Sequence, residues 1–297
     1  MAVESMDWIT RQQRLLHLAR RQLFFVGGAP RSGTTWLQSL LDSHADVSCH
    51  GEGLFLKHLA EPMAAMLSAR SDAIGDKNRT VFRHASGYPT PGLEDTEHLL
   101  GTAILLALER QPGGTSSMAV GEKTPENVFF FERLKQIFPA AKFIGIARDP
   151  RDVLTSAWHF FHTQAAGEDA VASKIAFIRT ALPSINQGAR AMLGLAERYG
   201  TDCCIVTYEM MHATPYPVAA RLFRFLGVAD DDAIVADCVA RTSFATATAG
   251  RPPATNPNGS FFRKGMTGDW RSTLTPAMSD MILQDLGWMF PIFGWTA

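Results

Sequence analysis

Four short apolar runs punctuate the chain: Leu23-Phe24-Phe25-Val26, Met118-Ala119-Val120-Gly121, Lys142-Phe143-Ile144-Gly145-Ile146-Ala147 and Cys203-Cys204-Ile205-Val206-Thr207. Runs of four to six such residues are too short for a buried helix and read as strands covered on both faces. Between them, apolar positions recur at helical spacing over residues 94–110, 126–137, 150–163, 170–199 and 215–226. Strands alternating with helices predict an α/β fold, a parallel sheet flanked by helices. A basic amphipathic helix is expected over residues 7–21, with Trp8, Leu15, Leu16 and Leu18 packing on the domain. Residues 70–92 mix charges with Gly87, Pro89, Pro91 and Gly92, and residues 249–260 are rich in Pro, Asn and Gly, so both read as surface loops. No linker interrupts the pattern, and a single domain over residues 1–297 is expected.

Composition narrows the class only a little. A net charge of −1 argues against nonspecific nucleic-acid binding. The four cysteines, Cys49, Cys203, Cys204 and Cys238, have no CxxC spacing, and an adjacent pair inside a strand suits reduced thiols and a cytoplasmic location. No run is apolar and long enough for a signal core or a membrane-inserted span.

The chemistry begins at Gly27-Gly28-Ala29-Pro30-Arg31-Ser32-Gly33-Thr34-Thr35-Trp36, which follows the first strand and precedes the helical Leu37-Gln38-Ser39-Leu40-Leu41. Strand, glycine-rich turn and helix form a phosphate cradle, because backbone N–H groups and the positive helix end converge on an anion. The spacing is nearly that of a Walker A loop, yet Thr34 stands where a nucleotide triphosphatase keeps its lysine, and the cation is Arg31 instead. In a parallel sheet ligands collect beyond the carboxyl ends of the strands, where Gly28 to Thr35, Glu122-Lys123 and Arg148 all fall.

Two further segments suit an anion. Arg148 ends a strand, Pro150 opens a helix, and Ser156 lies about two turns on, so arginine and hydroxyl could share a second phosphate. An ordinary ion pair between Arg148 and Asp149 is the competing reading. Phe261-Phe262-Arg263-Lys264-Gly265-Met266-Thr267-Gly268-Asp269-Trp270-Arg271 pairs cations with glycines, which fits a dianionic phosphate or a solvated charged loop. Arg241-Thr242-Ser243-Phe244 could offer a base a polar contact and an aromatic face. His159 and His162 are three apart on a helix, but no Cys or carboxylate partner accompanies them and no metal site is expected.

In order and joint presence these segments resemble the sulfotransferases that use 3′-phosphoadenosine 5′-phosphosulfate (PAPS) and release 3′-phosphoadenosine 5′-phosphate (PAP). The resemblance implies that Arg31, Ser32, Gly33, Thr34 and Thr35 bind the 5′-phosphosulfate, with Trp36 near the adenine. Arg148 and Ser156 match the pair that grips the 3′-phosphate, and Arg263, Lys264 and Gly265, preceded by Phe262, match the loop that closes over it. Thr242 and Phe244 match a Thr-x-Phe adenine contact, and Tyr208 a tyrosine near the purine.

Cytosolic members carry a catalytic His in a Lys-Thr-His motif, whereas this chain reads Lys123-Thr124-Pro125. Tyrosylprotein and many bacterial sulfotransferases are more similar here, with a glutamate about twenty residues after the phosphosulfate loop. Val47-Ser48-Cys49-His50-Gly51-Glu52-Gly53 points to Glu52 as general base, with His50 and Glu122 as rivals. Arg31 and Lys123 would neutralise charge during transfer, Lys123 at the bridging oxygen, and a stable bisphosphate leaving group requires no metal. The expected acceptor is a hydroxyl, less readily an amine, on a partly apolar small molecule bound among loops near 50–70, 80–95, 158–170 and 245–262. Two other readings stay open: a P-loop kinase using ATP and Mg²⁺, and a non-catalytic binder of nucleotide bisphosphates. Residues 271–280 match the dimer motif of cytosolic members too faintly to set an oligomeric state.

Overall fold

In the computed structural model, residues 7–162, 168–243, 246 and 265–297 are described. Five strands, β1 (Gln22–Gly28), β2 (Val47–His50), β3 (Ala119–Lys123), β4 (Lys142–Ala147) and β5 (Cys203–Thr207), form a parallel sheet in the order β2-β3-β1-β4-β5. β1 is central, pairing Val26 with Lys123 on one side and Gly28 with Ile146 on the other. The carboxyl ends of β1, β3 and β4 therefore lie side by side.

Alternation along the strands divides the core. Phe24, Val26, Ile144, Ile146, Cys204 and Val206 face α2 (Thr34–Asp42), α9 (Pro215–Leu226) and α10 (Asp232–Arg241) through Leu37, Leu41, Leu222, Phe223 and Val235. Leu23, Phe25, Val120 and Phe143 face α4 (Leu93–Arg110), α5 (Phe131–Ile137) and α7 (Glu168–Arg198) through Leu100, Ile104, Leu134 and Met192. A third cluster joins α6 (Pro150–Phe161) and α7 to α11 (Pro276–Leu286), with Leu154, Leu182, Ile282 and Leu286 at its centre. α8 (Tyr208–Ala213) and α12 (Met289–Phe293) complete the described helices, together with α1 (Trp8–Ala19) and α3 (Ala60–Thr80).

Several expectations change. Residues 70–80 are not loop: α3 runs through them, and only 81–92 are irregular. Of α3, only Ala60 is fully buried; Met63, Leu67 and Ile74 follow it at helical spacing on a half-buried face that Ser71 and Asn78 interrupt. Its Ala, Met, Leu and Arg content also favours the helix by propensity. The segment 126–137 breaks at Phe130 into a 3₁₀ turn, Pro125–Phe129, and α5. On α1, Leu15 and Leu18 are buried as expected, but Trp8 and Leu16 are 71% and 54% exposed. Leu16, one residue on from Leu15, turns off the buried stripe, whereas Trp8 shares the face of Leu15 but opens the helix and stays exposed there. The expected loop at 249–260 lies outside the described residues. All four cysteines are free thiols, Cys203 half-buried and the others buried. Among the described residues no helix is long and apolar enough to cross a membrane.

Candidate active site

The phosphate loop is built by backbone conformation. β1 ends at Gly28, where a Cβ would meet the Ile146 carbonyl at 2.4 Å, so glycine lets the two strands continue in register. The chain then turns through positive φ at Arg31 (71°) and Gly33 (98°). A side chain at Gly33 would strike the Tyr208 ring at 2.6 Å, which makes glycine a requirement on two counts. α2 starts immediately after, and the N–H groups of its first turn, Thr34, Thr35 and Trp36, have no partner within the helix. The Ser32 hydroxyl is buried with no hydrogen-bond partner. An orphaned buried hydroxyl beside unspent amides fits an anionic ligand that brings its own acceptors.

β4, α6 and α8 bring the second cluster to the same rim. Arg31 Nε donates to Ser156 Oγ at 3.4 Å, and the Arg31 guanidinium lies 4.6 Å from the Phe160 ring centroid. Arg148 donates to the Arg31 carbonyl (3.3 Å) and the Met266 carbonyl (2.8 Å) and stacks 4.0 Å over Tyr208, while its Nε is buried without a partner. Arg148 thus keeps a buried donor in reserve. The alternative pairing with Asp149 is not formed: Asp149 holds Arg151 instead, in a bidentate bridge whose shortest contact is 2.8 Å. Asp149 is the N-cap of α6, its carboxylate also accepting from the Arg151 N–H at 2.9 Å. Trp36 packs edge-on to Tyr208 at 5.5 Å and donates its indole N–H to the Thr242 carbonyl at 2.9 Å. The Thr242 hydroxyl itself donates back to Cys238 O, so the carbonyl is what that residue presents to Trp36. Gly265 O accepts from His212 Nε2 at 3.1 Å. Phe244, Phe262, Arg263 and Lys264 lie outside the described residues.

The third element is an ion pair at the end of β3. Lys123, its side chain 4% exposed, reaches Glu52 Oε1 at 2.6 Å and Thr35 Oγ1 at 3.4 Å, so one amine joins the phosphate-loop helix to the loop after β2. A Cβ at Gly51 would meet Lys123 O at 2.6 Å, and this close approach is what carries Glu52 over the amine. Glu122 faces elsewhere. It accepts from Gly53 N–H (2.8 Å), Asn127 Nδ2 (2.7 Å) and the Thr124 hydroxyl. Burial raises its carboxyl above the ordinary range while those hydrogen bonds oppose the shift. With its lone pairs committed, Glu122 braces the Glu52 loop. His50 sits on the edge strand with Nε2 3.6 Å from Asp42 Oδ1.

With this geometry established, similarity to known proteins is informative. The sulfotransferase family model matches residues 24–232, spanning the phosphate loop, the Glu52–Lys123 pair, Arg148 and Tyr208. The chain belongs to the sulfotransferase family. It is 32% identical over 287 residues to Arabidopsis thaliana cytosolic sulfotransferase 17, covering 88% of this chain and 72% of that protein. It is 28% identical over 205 residues to a putative protein-tyrosine sulfotransferase of Caenorhabditis briggsae, covering 69% of this chain and 65% of the nematode protein. A mouse sulfotransferase crystallised with PAP shares the fold, with a TM-score of 0.55 at 16% identity, covering 98% of this chain and 93% of that one.

Three parts of this candidate site were not apparent in the sequence. Glu122, Thr124 and Asn127 form the brace beneath Glu52, although only their closeness in sequence hints at it. Arg151 is buried between the rings of Trp270 (3.8 Å) and Phe290 (4.7 Å) and donates to Thr296 O, tying the end of the chain to α6. Asp152 accepts from the backbone of Gly268 and Trp270. The dipeptide Arg151-Asp152 reads in sequence as ordinary helix charge, and only distant segments folding onto it make it otherwise. His159 and His162 form no metal pair with a third ligand among the described residues, and His162 stacks on Trp158 at 4.0 Å.

Proposed function

We propose that this protein moves a sulfuryl group from PAPS to an acceptor hydroxyl and releases PAP. The observation that carries the reading is the buried Lys123 amine lying between Thr35 of the phosphate loop and the Glu52 carboxylate. PAPS supplies an activated sulfuryl group whose leaving group is a stable bisphosphate. Ser32 and the amides opening α2 would hold its 5′ end, and Arg148 with Ser156 its 3′-phosphate. Trp36, packed edge-on to Tyr208, would lie near the base.

In this reading Glu52 takes the acceptor proton as the new S–O bond forms and the S–O bond to the phosphate breaks, the electron pair passing to the departing phosphate oxygen. Lys123 meets the negative charge growing on that oxygen, and Arg31 the charge on the transferring group. The acceptor is a partly apolar small molecule bearing a hydroxyl, a choice supported by Leu54 and Phe160, which flank Glu52 and Arg31 and are half-buried. The free thiols support a reducing, cytoplasmic setting.

Titration with PAP, 5′-AMP and ATP plus Mg²⁺, followed by transfer of labelled sulfate from PAPS to phenols, alcohols and a tyrosine peptide, tests the reading. Preference for PAP of at least about tenfold and labelling of a small hydroxyl compound are expected. Preference for ATP with Mg²⁺ would return the loop to kinase chemistry, and PAP binding without transfer to any acceptor would leave a binder. Labelling of the peptide alone would overturn the small-molecule assignment.

A further inference from the structure

Three anchors converge on residues 265–270. Asp152, on the first turn of α6 and 1% exposed, accepts from Gly268 N–H at 2.6 Å through Oδ2 and from Trp270 N–H at 3.1 Å through Oδ1. Arg148 donates to the Met266 carbonyl at 2.8 Å, and His212 Nε2 donates to the Gly265 carbonyl at 3.1 Å, an oxygen that can only accept. A buried carboxylate is costly unless its lone pairs are used, and Asp152 spends them on backbone amides more than a hundred residues away. The Arg148 guanidinium lies 3.9 Å from the same carboxylate.

We propose that Asp152 is a positioning residue for the donor site. It fixes the 265–270 segment and so sets the Met266 carbonyl, which with the Arg31 carbonyl and the Tyr208 ring orients Arg148. An arginine held on three sides loses little side-chain freedom when it takes a phosphate, and that saving appears as affinity. This inference rests on the reading of Arg148 as the group that holds the 3′-phosphate. Asp152 itself stays behind the rim, its two oxygens spent on the loop.

The chemistry of the clamp selects the test. Asp152→Asn keeps the volume but turns one acceptor oxygen into an NH₂ that faces a backbone N–H. Asp152→Glu keeps the charge and both acceptors. His212 is exposed, so His212→Ala loosens the Gly265 anchor without endangering the fold. PAP and 5′-AMP are titrated against each protein, because only PAP carries the 3′-phosphate. Asp152→Asn is expected to raise the PAP Kd about tenfold and to leave the 5′-AMP Kd within about twofold. Asp152→Glu recovers most of the loss, and His212→Ala shifts PAP in the same direction by about threefold. Equal losses for both nucleotides, or an unchanged PAP Kd in both Asp152→Asn and His212→Ala, would overturn the positioning role. Wild-type protein that does not distinguish PAP from 5′-AMP would instead remove the 3′-phosphate assignment of Arg148 itself, a failure visible before any variant is made.

Discussion

Lys123 Nζ lies 2.6 Å from Glu52 Oε1, with the lysine side chain 4% exposed and the glutamate 41% exposed. The pair is asymmetric: the cation is fixed in the floor, and the carboxylate faces solvent, where an acceptor would arrive. The charged amine is held beside the phosphate loop by a partner that can be solvated when the pair opens. The two roles can therefore be separated by substitution.

Glu52→Gln removes the proposed proton acceptor and keeps the shape. Turnover should fall on the order of 10²–10⁴-fold, with PAP affinity nearly unchanged. Steady-state kinetics beside a PAP titration decides it, and full activity in the variant would exclude Glu52 as the base.

Lys123→Met replaces a buried cation by an apolar chain of similar length. Because Glu52 is partly exposed, its carboxylate can be rehydrated, and stability should change by under about 1 kcal/mol in urea unfolding. Turnover should drop by about 10²–10³-fold, because charge on the leaving oxygen is no longer met.

Gly33→Ala places a methyl group within 2.6 Å of the Tyr208 ring at a residue with φ of 98°. Strain of roughly 1–3 kcal/mol is expected in the melting curve. PAP binding should be lost with it, because Tyr208 is displaced from under Arg148, and unchanged binding would show that the loop tolerates the shift.

Glu122 gives stability a pH dependence with a definite sign. Burial raises its folded pKa above the ordinary value of 4.5, so the folded state binds its proton more tightly than the unfolded chain. Its contribution is fully present below pH 4.5 and is lost as pH rises through the folded value. Glu122→Gln cannot titrate. The unfolding free energy of wild type minus that of the variant should therefore decline as pH rises from about 4.5, and a flat difference would contradict the shift. Burial also raises the Glu209 pKa, but that residue is common to both proteins and cancels.

The strand, glycine turn and helix at residues 22–42 depend on near neighbours and form as expected, and the four apolar runs fall on strands of the parallel sheet, Met118 lying just before β3 and the edge strand β2 having no such run. α3 escaped because, after the buried Ala60, its apolar face of Met63, Leu67 and Ile74 is only half-buried and is interrupted by Ser71, Gly75 and Asn78, so charge and glycine dominate residues 70–80. The competing ion pair of Arg148 with Asp149 does not form, because the side chains of α6 point by helical angle and Arg151 is the one that reaches Asp149.

The sequence by itself determined a phosphate cradle at the end of the first strand and a set of cations to surround it, because glycine spacing and strand ends are properties of short segments. Only the tertiary structure decided which of His50, Glu52 and Glu122 lies open at the Lys123 amine. That choice depends on the pairing of β2 with β3 and on how closely Gly51 approaches Lys123 O. It also decided that Asp152 answers amides at Gly268 and Trp270, because a hydrogen bond across more than a hundred residues exists only once helices and loops have packed.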